Sequence, residues 1–277
     1  MMGVCMRTEN PLGKKIGYTF TYDPSQLFPV ERALGRGALG LDGKALPFCG
    51  EDIWTAWELS WLDGKGKPVS AVAEIRVPAT SRCIVESKSL KLYLNSFNMS
   101  RFESPEAVRT AMAGDLSRVA EGEVTVSLFG CDDTEALGTQ RAGGQCIDHH
   151  ESDSYVYEVD ASLLAHGDGD VTDETLCSHI LRTNCPVTGQ PDWATVEITY
   201  SGKRIDETAL FAYLVSFRTH TGYHENCVET LYTDIMARLA PTALTVVGRF
   251  TRRGGLDINP CRSSSPTAFP NRRLVRQ

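Results

Sequence analysis

The residues best able to do chemistry lie in the stretch Asn184-Cys185-Pro186-Val187-Thr188-Gly189-Gln190-Pro191-Asp192-Trp193. Two prolines and a glycine make it a stiff loop, where a thiol is expected to be more exposed than the average buried cysteine. Asp192 follows seven residues after Cys185 and beside an indole, so desolvation would raise the proton affinity of its carboxyl. A nucleophile plus a proton donor is one reading; a loop cysteine without function and an aspartate in a turn fit the same spacing. Glu225 precedes Val228 and Tyr232 at helical intervals, so it points inward with their apolar stripe from the first turn of a helix. It either caps that helix start, where negative charge is favoured, or binds a ligand through a bidentate hydrogen bond.

Two further groups could hold phosphate. Glu86-Ser87-Lys88-Ser89-Leu90-Lys91 opens an apolar stretch, and its charged and hydroxyl side chains suit either phosphate or water. Arg249, Arg252 and Arg253 lead into Gly254-Gly255, and arginines beside the amides of a glycine turn suit an anion or a solvated surface. Other motifs fail on context. Gly35-Arg36-Gly37-Ala38-Leu39-Gly40 has dinucleotide-fingerprint spacing without a convincing strand before it or helix after it. His224-Glu225-Asn226-Cys227-Val228 lacks the second histidine of a zinc-protease helix. Cys146, His149 and His150 form only a weak metal signal, and His166-Gly167-Asp168-Gly169-Asp170 misses calcium-loop spacing.

An internal repeat supplies the elements that position these residues. Laying 86–126 over 206–246 without gaps makes eleven of 41 pairs identical, among them Leu90/Leu210, Tyr93/Tyr213, Leu94/Leu214, Ser96/Ser216, Phe97/Phe217, Val108/Val228 and Arg118/Arg238. The alternation Leu90, Leu92, Leu94 followed by the helical spacing of Val108, Ala111, Met112, Leu116 and Val119 predicts a strand and then a helix in each copy. Ser104-Pro105 starts the first helix. Alternating stretches at 70–77 and 194–200 precede the copies, and strands at 123–129 and 243–250 follow them. The expected class is α+β, two domains of similar plan with antiparallel sheets carrying helices on one face. The segment 131–151 connects them, which puts the N-terminal domain at 1–140 and the C-terminal domain at 141–277.

Composition narrows the function. A formal charge of 28 − 35 = −7 disfavours direct nucleic-acid binding and suits a small-molecule ligand. Nine cysteines, none at Cys-x-x-Cys spacing, are expected to be mostly free thiols. With no long apolar run and no secretory leader, a cytoplasmic protein without membrane contact is expected.

Through Glu86–Lys91, the 184–193 loop and Tyr223-His224-Glu225-Asn226-Cys227, the sequence resembles the 7-cyano-7-deazaguanine reductases of queuosine biosynthesis, in their longer two-domain form. Asn10-Pro11-Leu12-Gly13-Lys14 and the 52–61 stretch extend the likeness nearly end to end. The resemblance implies tandem tunnelling-fold domains, the plan of GTP cyclohydrolase I, and NADPH-dependent reduction of a nitrile to an aminomethyl group in tRNA modification. It implies Cys185 as the nucleophile that forms a thioimidate and Asp192 as proton donor. Val85, Glu86, Ser87, His224 and Glu225 would contact the deazaguanine; Ser87, Lys88, Arg253 and Gly254 would contact NADPH. A homodimer and no metal are likewise implied, and His149-His150 departs from a more acidic family segment without touching a site residue. A metal-dependent cyclohydrolase of the same fold, with Cys146, His149, His150 or His224 as ligands, is the second reading, and a purine-binding module without catalysis the third. Cys227, two residues after Glu225, could form a reversible protective disulfide with Cys185.

Overall fold

The computed structural model describes residues 17–41 and 45–277, so Asn10-Pro11-Leu12-Gly13-Lys14 lies outside the described residues. The chain divides into two units: the described residues up to Leu34 with Asp52–Gly138 and Arg252–Asp257, and Gly35–Glu51 with Thr139–Thr251 and Ile258–Gln277.

The first unit is built on strands β1 (Cys49–Leu62) and β2 (Pro68–Pro78), the short β3 (Cys83–Val85), helices α1 (Ser87–Ser96) and α2 (Pro105–Ala120), and strand β4 (Thr125–Phe129). Strands β4, β2 and β1 lie side by side in that order, and β3 pairs antiparallel with Pro29–Glu31. Alternate residues of β2 are buried, namely Ala71, Ala73, Ile75 and Val77, because successive side chains of a strand face opposite ways. Ser104 caps α2 by accepting from the amide of Ala107, with Pro105 at the first helical position, as the sequence predicts.

The second unit follows with β5 (His166–Ser178), β6 (Arg182–Asn184), β7 (Pro191–Ile205), helices α3 (Glu207–Ser216) and α4 (His224–Leu239), and strands β8 (Ala243–Phe250) and β9 (Leu256–Ser263). Its strands run β9, β8, β7, β5, with Gln145–Cys146 beyond β5 and β6 paired to β7. Pairing is antiparallel apart from Gln145–Cys146 on β5 and Thr139–Gln140 on Arg273–Leu274. The mixed α+β class expected from the sequence is therefore present, with antiparallel pairing dominant.

One expectation is overturned. Each repeat copy begins with a helix, α1 or α3, where the sequence reading put a strand. The alternation of Leu90, Leu92 and Leu94 was an incomplete pattern, because Leu90, Tyr93, Leu94 and Phe97 are all buried at the spacing of one helical face. Glu86 and Asp206 supply the caps: Glu86 accepts from the amides of Lys88 and Ser89, and Asp206 from that of Ala209.

The copies also share polar detail. Tyr93 donates to Asp115 at 2.8 Å and Tyr213 to Asp234 at 2.6 Å, while Ser96 and Ser216 each donate to the carbonyl three residues back at 2.6 Å. Ser96 in turn accepts from the amide of Asp23 and Ser216 from that of Asp160, and each of these aspartates caps a short 3-10 turn. A buried phenol or hydroxyl without such a partner would cost about 1–3 kcal/mol.

Candidate functional site

The 184–193 stretch is the tip of a hairpin. β6 and β7 pair with Asn184 opposite Pro191, Thr183 opposite Asp192 and Arg182 opposite Trp193. Beyond the strand end the ladder continues, with the Cys185 amide donating to the Gln190 carbonyl at 2.9 Å and the Gly189 amide to the Cys185 carbonyl at 3.0 Å. Residues directly opposite share a face, and faces alternate along a strand, so Thr183, Asp192 and Cys185 are carried to one side. All three are buried. The expectation of an exposed thiol is corrected: Cys185 is 5 % exposed, because the hairpin folds its tip residues 186–190 outward and turns the cysteine in.

The indole is also misplaced by the sequence reading. Trp193 alternates to the opposite face from Asp192, where its ring lies under the guanidinium groups of Arg218 and Arg276, at 5.4 and 5.8 Å from the ring centre. Asp192 instead meets the start of α4, with its Oδ2 3.4 Å from Nε2 of His224. The imidazole stacks on Phe250 of β8 with ring centres 3.8 Å apart and planes 6° from parallel. Nδ1 of His224 is buried without a hydrogen-bond partner. Such an atom is costly to leave unsatisfied, which marks it as a place for a ligand's polar group.

Glu225 follows in the first turn of α4, 4 % exposed. The cap position itself belongs to Tyr223, whose side chain makes no capping hydrogen bond. The sequence thus correctly brings Glu225 inward with Val228 and Tyr232, both fully buried. Cys227 is fully buried too, its thiol pushed well up by desolvation and by the charge of Asp192. Neither Cys185 nor Cys227 is in a disulfide. The sequence reading missed His220 and Thr183, whose Nε2 and Oγ1 are buried without hydrogen-bond partners. Thr183 was detectable only through its register opposite Asp192.

The other residues that the resemblance implied lie in the first unit. Val85 ends β3, Glu86 caps α1 with Oε1 on the Lys88 amide and Oε2 on the Ser89 amide, both at 2.8 Å, and Ser87 and Lys88 open the helix. Burial raises the proton affinity of Glu86 above the ordinary carboxylate value. Arg253 and Gly254 form a tight turn in which the Arg253 amide donates to the Leu256 carbonyl at 2.9 Å. Gly254 and Gly255 have φ of +56° and +77°, and a Cβ on Gly254 would meet Lys91 Nζ at 2.7 Å. This turn, with Lys91, Asn95, Asn98, Glu58 and Tyr18, lines a cavity of about 280 Å³. Lys91 belongs to the charged 86–91 stretch that the sequence offered for phosphate; Asn95 was missed because its helical spacing from Lys91 becomes visible only once this segment is a helix.

The metal set of the second reading does not assemble. His149 Nδ1 lies 3.1 Å from the Cys146 carbonyl, His150 Nε2 lies 2.9 Å from Glu207, and His224 is at Asp192. No helix among the described residues is long and apolar enough to cross a membrane.

A buried thiol and carboxyl and an imidazole thus lie on one hairpin and one helix start. Residues 18–128 match the sequence profile of the nitrile reductases described as 7-cyano-7-deazaguanine reductase, N-terminal part, and 191–268 match that of the QueF-like proteins. The NADPH-dependent 7-cyano-7-deazaguanine reductase of Desulfotalea psychrophila is 54 % identical over 269 residues, 96 % of this chain and 97 % of its own. Its namesake in Azoarcus sp. strain BH72 is 53 % identical, over 92 % and 90 %, and that of Saccharophagus degradans 51 %, over 96 % and 98 %. The chain belongs to the 7-cyano-7-deazaguanine reductase family.

Proposed function

We propose that this protein reduces the nitrile of 7-cyano-7-deazaguanine to the aminomethyl group with NADPH, through a thioimidate on Cys185, and that its two units are tunnelling-fold domains working in a cytoplasmic homodimer. The observation that carries the reading is the hairpin that turns Cys185 and Asp192 to one buried side. A nitrile carbon accepts hydride poorly. Addition of the Cys185 sulfur to that carbon, with a proton passing from Asp192 to the nitrogen, gives a C=N group that is far more electrophilic. After the first reduction the C–S bond breaks, the sulfur leaves as thiolate, and the imine remains for the second.

When bound, NADPH supplies one hydride per molecule, so two are consumed per amine. Ser87, Lys88, Arg253 and Gly254 would hold it, joined by Lys91. The fit rests on the paired glycines, whose missing Cβ atoms leave room beside a lysine for a phosphate. Glu225 would accept two adjacent N–H donors of the guanine-like edge, and His224 Nδ1 would gain the partner it lacks. Val85, Glu86 and Ser87 would complete the base site.

Asp192→Asn tests the proton donor. The variant is expected to fold, bind substrate and lose about 10²–10⁴ in kcat. Near-normal turnover, followed by NADPH absorbance, would remove Asp192 from the mechanism.

A further inference from the structure

Outside the reductase residues, the second unit brings three metal-ligand side chains together. Gln145–Cys146 lies parallel to β5 with Cys146 directly paired to Cys177, and the Ile147 amide donates to the Cys177 carbonyl at 2.9 Å. His179 follows two residues later, and the ligating atoms of Cys146, Cys177 and His179 all lie within 4.8 Å of one another. Gly144, with φ of +79°, permits the approach, since a Cβ there would run into the backbone of Thr175. We propose that Cys146, Cys177 and His179 form a zinc-class metal site that fastens 145–146, within the connecting segment, to the edge of the second unit's sheet.

Three independent features support the site. The first is ligand chemistry, because two thiolates and an imidazole select a thiophilic divalent ion such as zinc. Tetrahedral zinc with Zn–S bonds of about 2.3 Å sets two sulfurs about 3.8 Å apart, a contraction of about 1 Å at most from the present spacing. The second is orientation. His179 Nδ1 lies 2.9 Å from the Thr195 hydroxyl, and the His179 amide donates to Asp148 Oδ2 at 2.9 Å. Donation from Nδ1 to Thr195 leaves the Nε2 lone pair for the ion, the outer-shell arrangement typical of ligating histidines. The third is an open coordination position. The three ligands line a cavity of about 420 Å³ with Arg141 and Arg276 in its wall, so water or a small anion reaches the fourth vertex. A simple disulfide between the thiols would leave the imidazole without a part to play.

The test uses the full-length enzyme, stripped with a chelator under reducing conditions and titrated with Co²⁺. One equivalent should bind with thiolate charge-transfer and tetrahedral ligand-field bands, and these should persist in Cys185→Ala. Cys146→Ser, at an exposed position, should weaken binding about 100-fold or more, and Thr195→Val about 10-fold with the same spectrum. Zinc should raise the unfolding midpoint of the wild type and not of Cys146→Ser. Reductase turnover of the stripped protein should be unchanged. Absence of the spectrum, its survival in Cys146→Ser, its loss in Cys185→Ala, or a 146–177 disulfide with no metal uptake after reduction would each overturn the site.

Discussion

At the residue scale, a polar atom enclosed without a hydrogen-bond partner has a cost that pH can reveal. His220 is an example: its Nε2 is enclosed without a hydrogen bond, and burial lowers its pKa below the ordinary histidine value. A histidine whose folded pKa is depressed takes up its proton later than in the unfolded chain as pH falls. The unfolded state therefore gains protonation free energy first, and the neutral ring's contribution is complete above about pH 6.5 and lost below it. Denaturant unfolding from pH 7.5 to 5 should show the wild type losing more stability than His220→Gln; equal losses would contradict this. Cys185, Asp192 and Glu225 were legible as types and spacings. What the sequence did not carry was direction: whether the thiol turns in or out, and which face Trp193 takes, follow from the β6–β7 register.

At the element scale, α1 and α3 show how a local pattern misleads. Leucines at 90, 92 and 94 fit a strand, yet the capping carboxylates at 86 and 206 and the buried aromatics at 93 and 97 fit a helix, and the helix buries more. The repeat itself was readable because identity concentrates at packed positions. Both long helices end on a non-glycine residue in the left-handed region, Glu121 at φ 51° and Ala240 at φ 44°. That conformation costs about 1–2 kcal/mol in an L-residue, so Ala240→Gly should stabilise the protein by about 1 kcal/mol despite the entropy glycine adds to the unfolded chain. Chemical denaturation measures it, and a loss of stability would contradict the argument.

At the scale of the whole molecule, long-range charge pairing decides where segments go. Arg36, in the rejected dinucleotide-like motif, donates to Glu229 of α4 at 2.6 and 3.0 Å, and Arg262 of β9 donates to the same carboxylate at 2.8 and 3.1 Å. Both guanidinium groups lie over the ring of Phe48. No local signal announces a partner 193 residues away, which is why the placement of Gly35–Glu51 in the second unit was not readable. Glu229→Gln would leave two buried guanidinium groups short of countercharge, and a loss of about 3–5 kcal/mol is expected in urea unfolding; a change below 1 kcal/mol would show the network to be dispensable. The catalytic reading turns on one bond, between sulfur and the nitrile carbon. Intact-mass measurement of the protein mixed with 7-cyano-7-deazaguanine in the absence of NADPH tests it most directly. The account predicts a gain of one substrate mass in the wild type and none in Cys185→Ala; an unmodified wild-type mass, or an adduct that persists in the alanine variant, would contradict it.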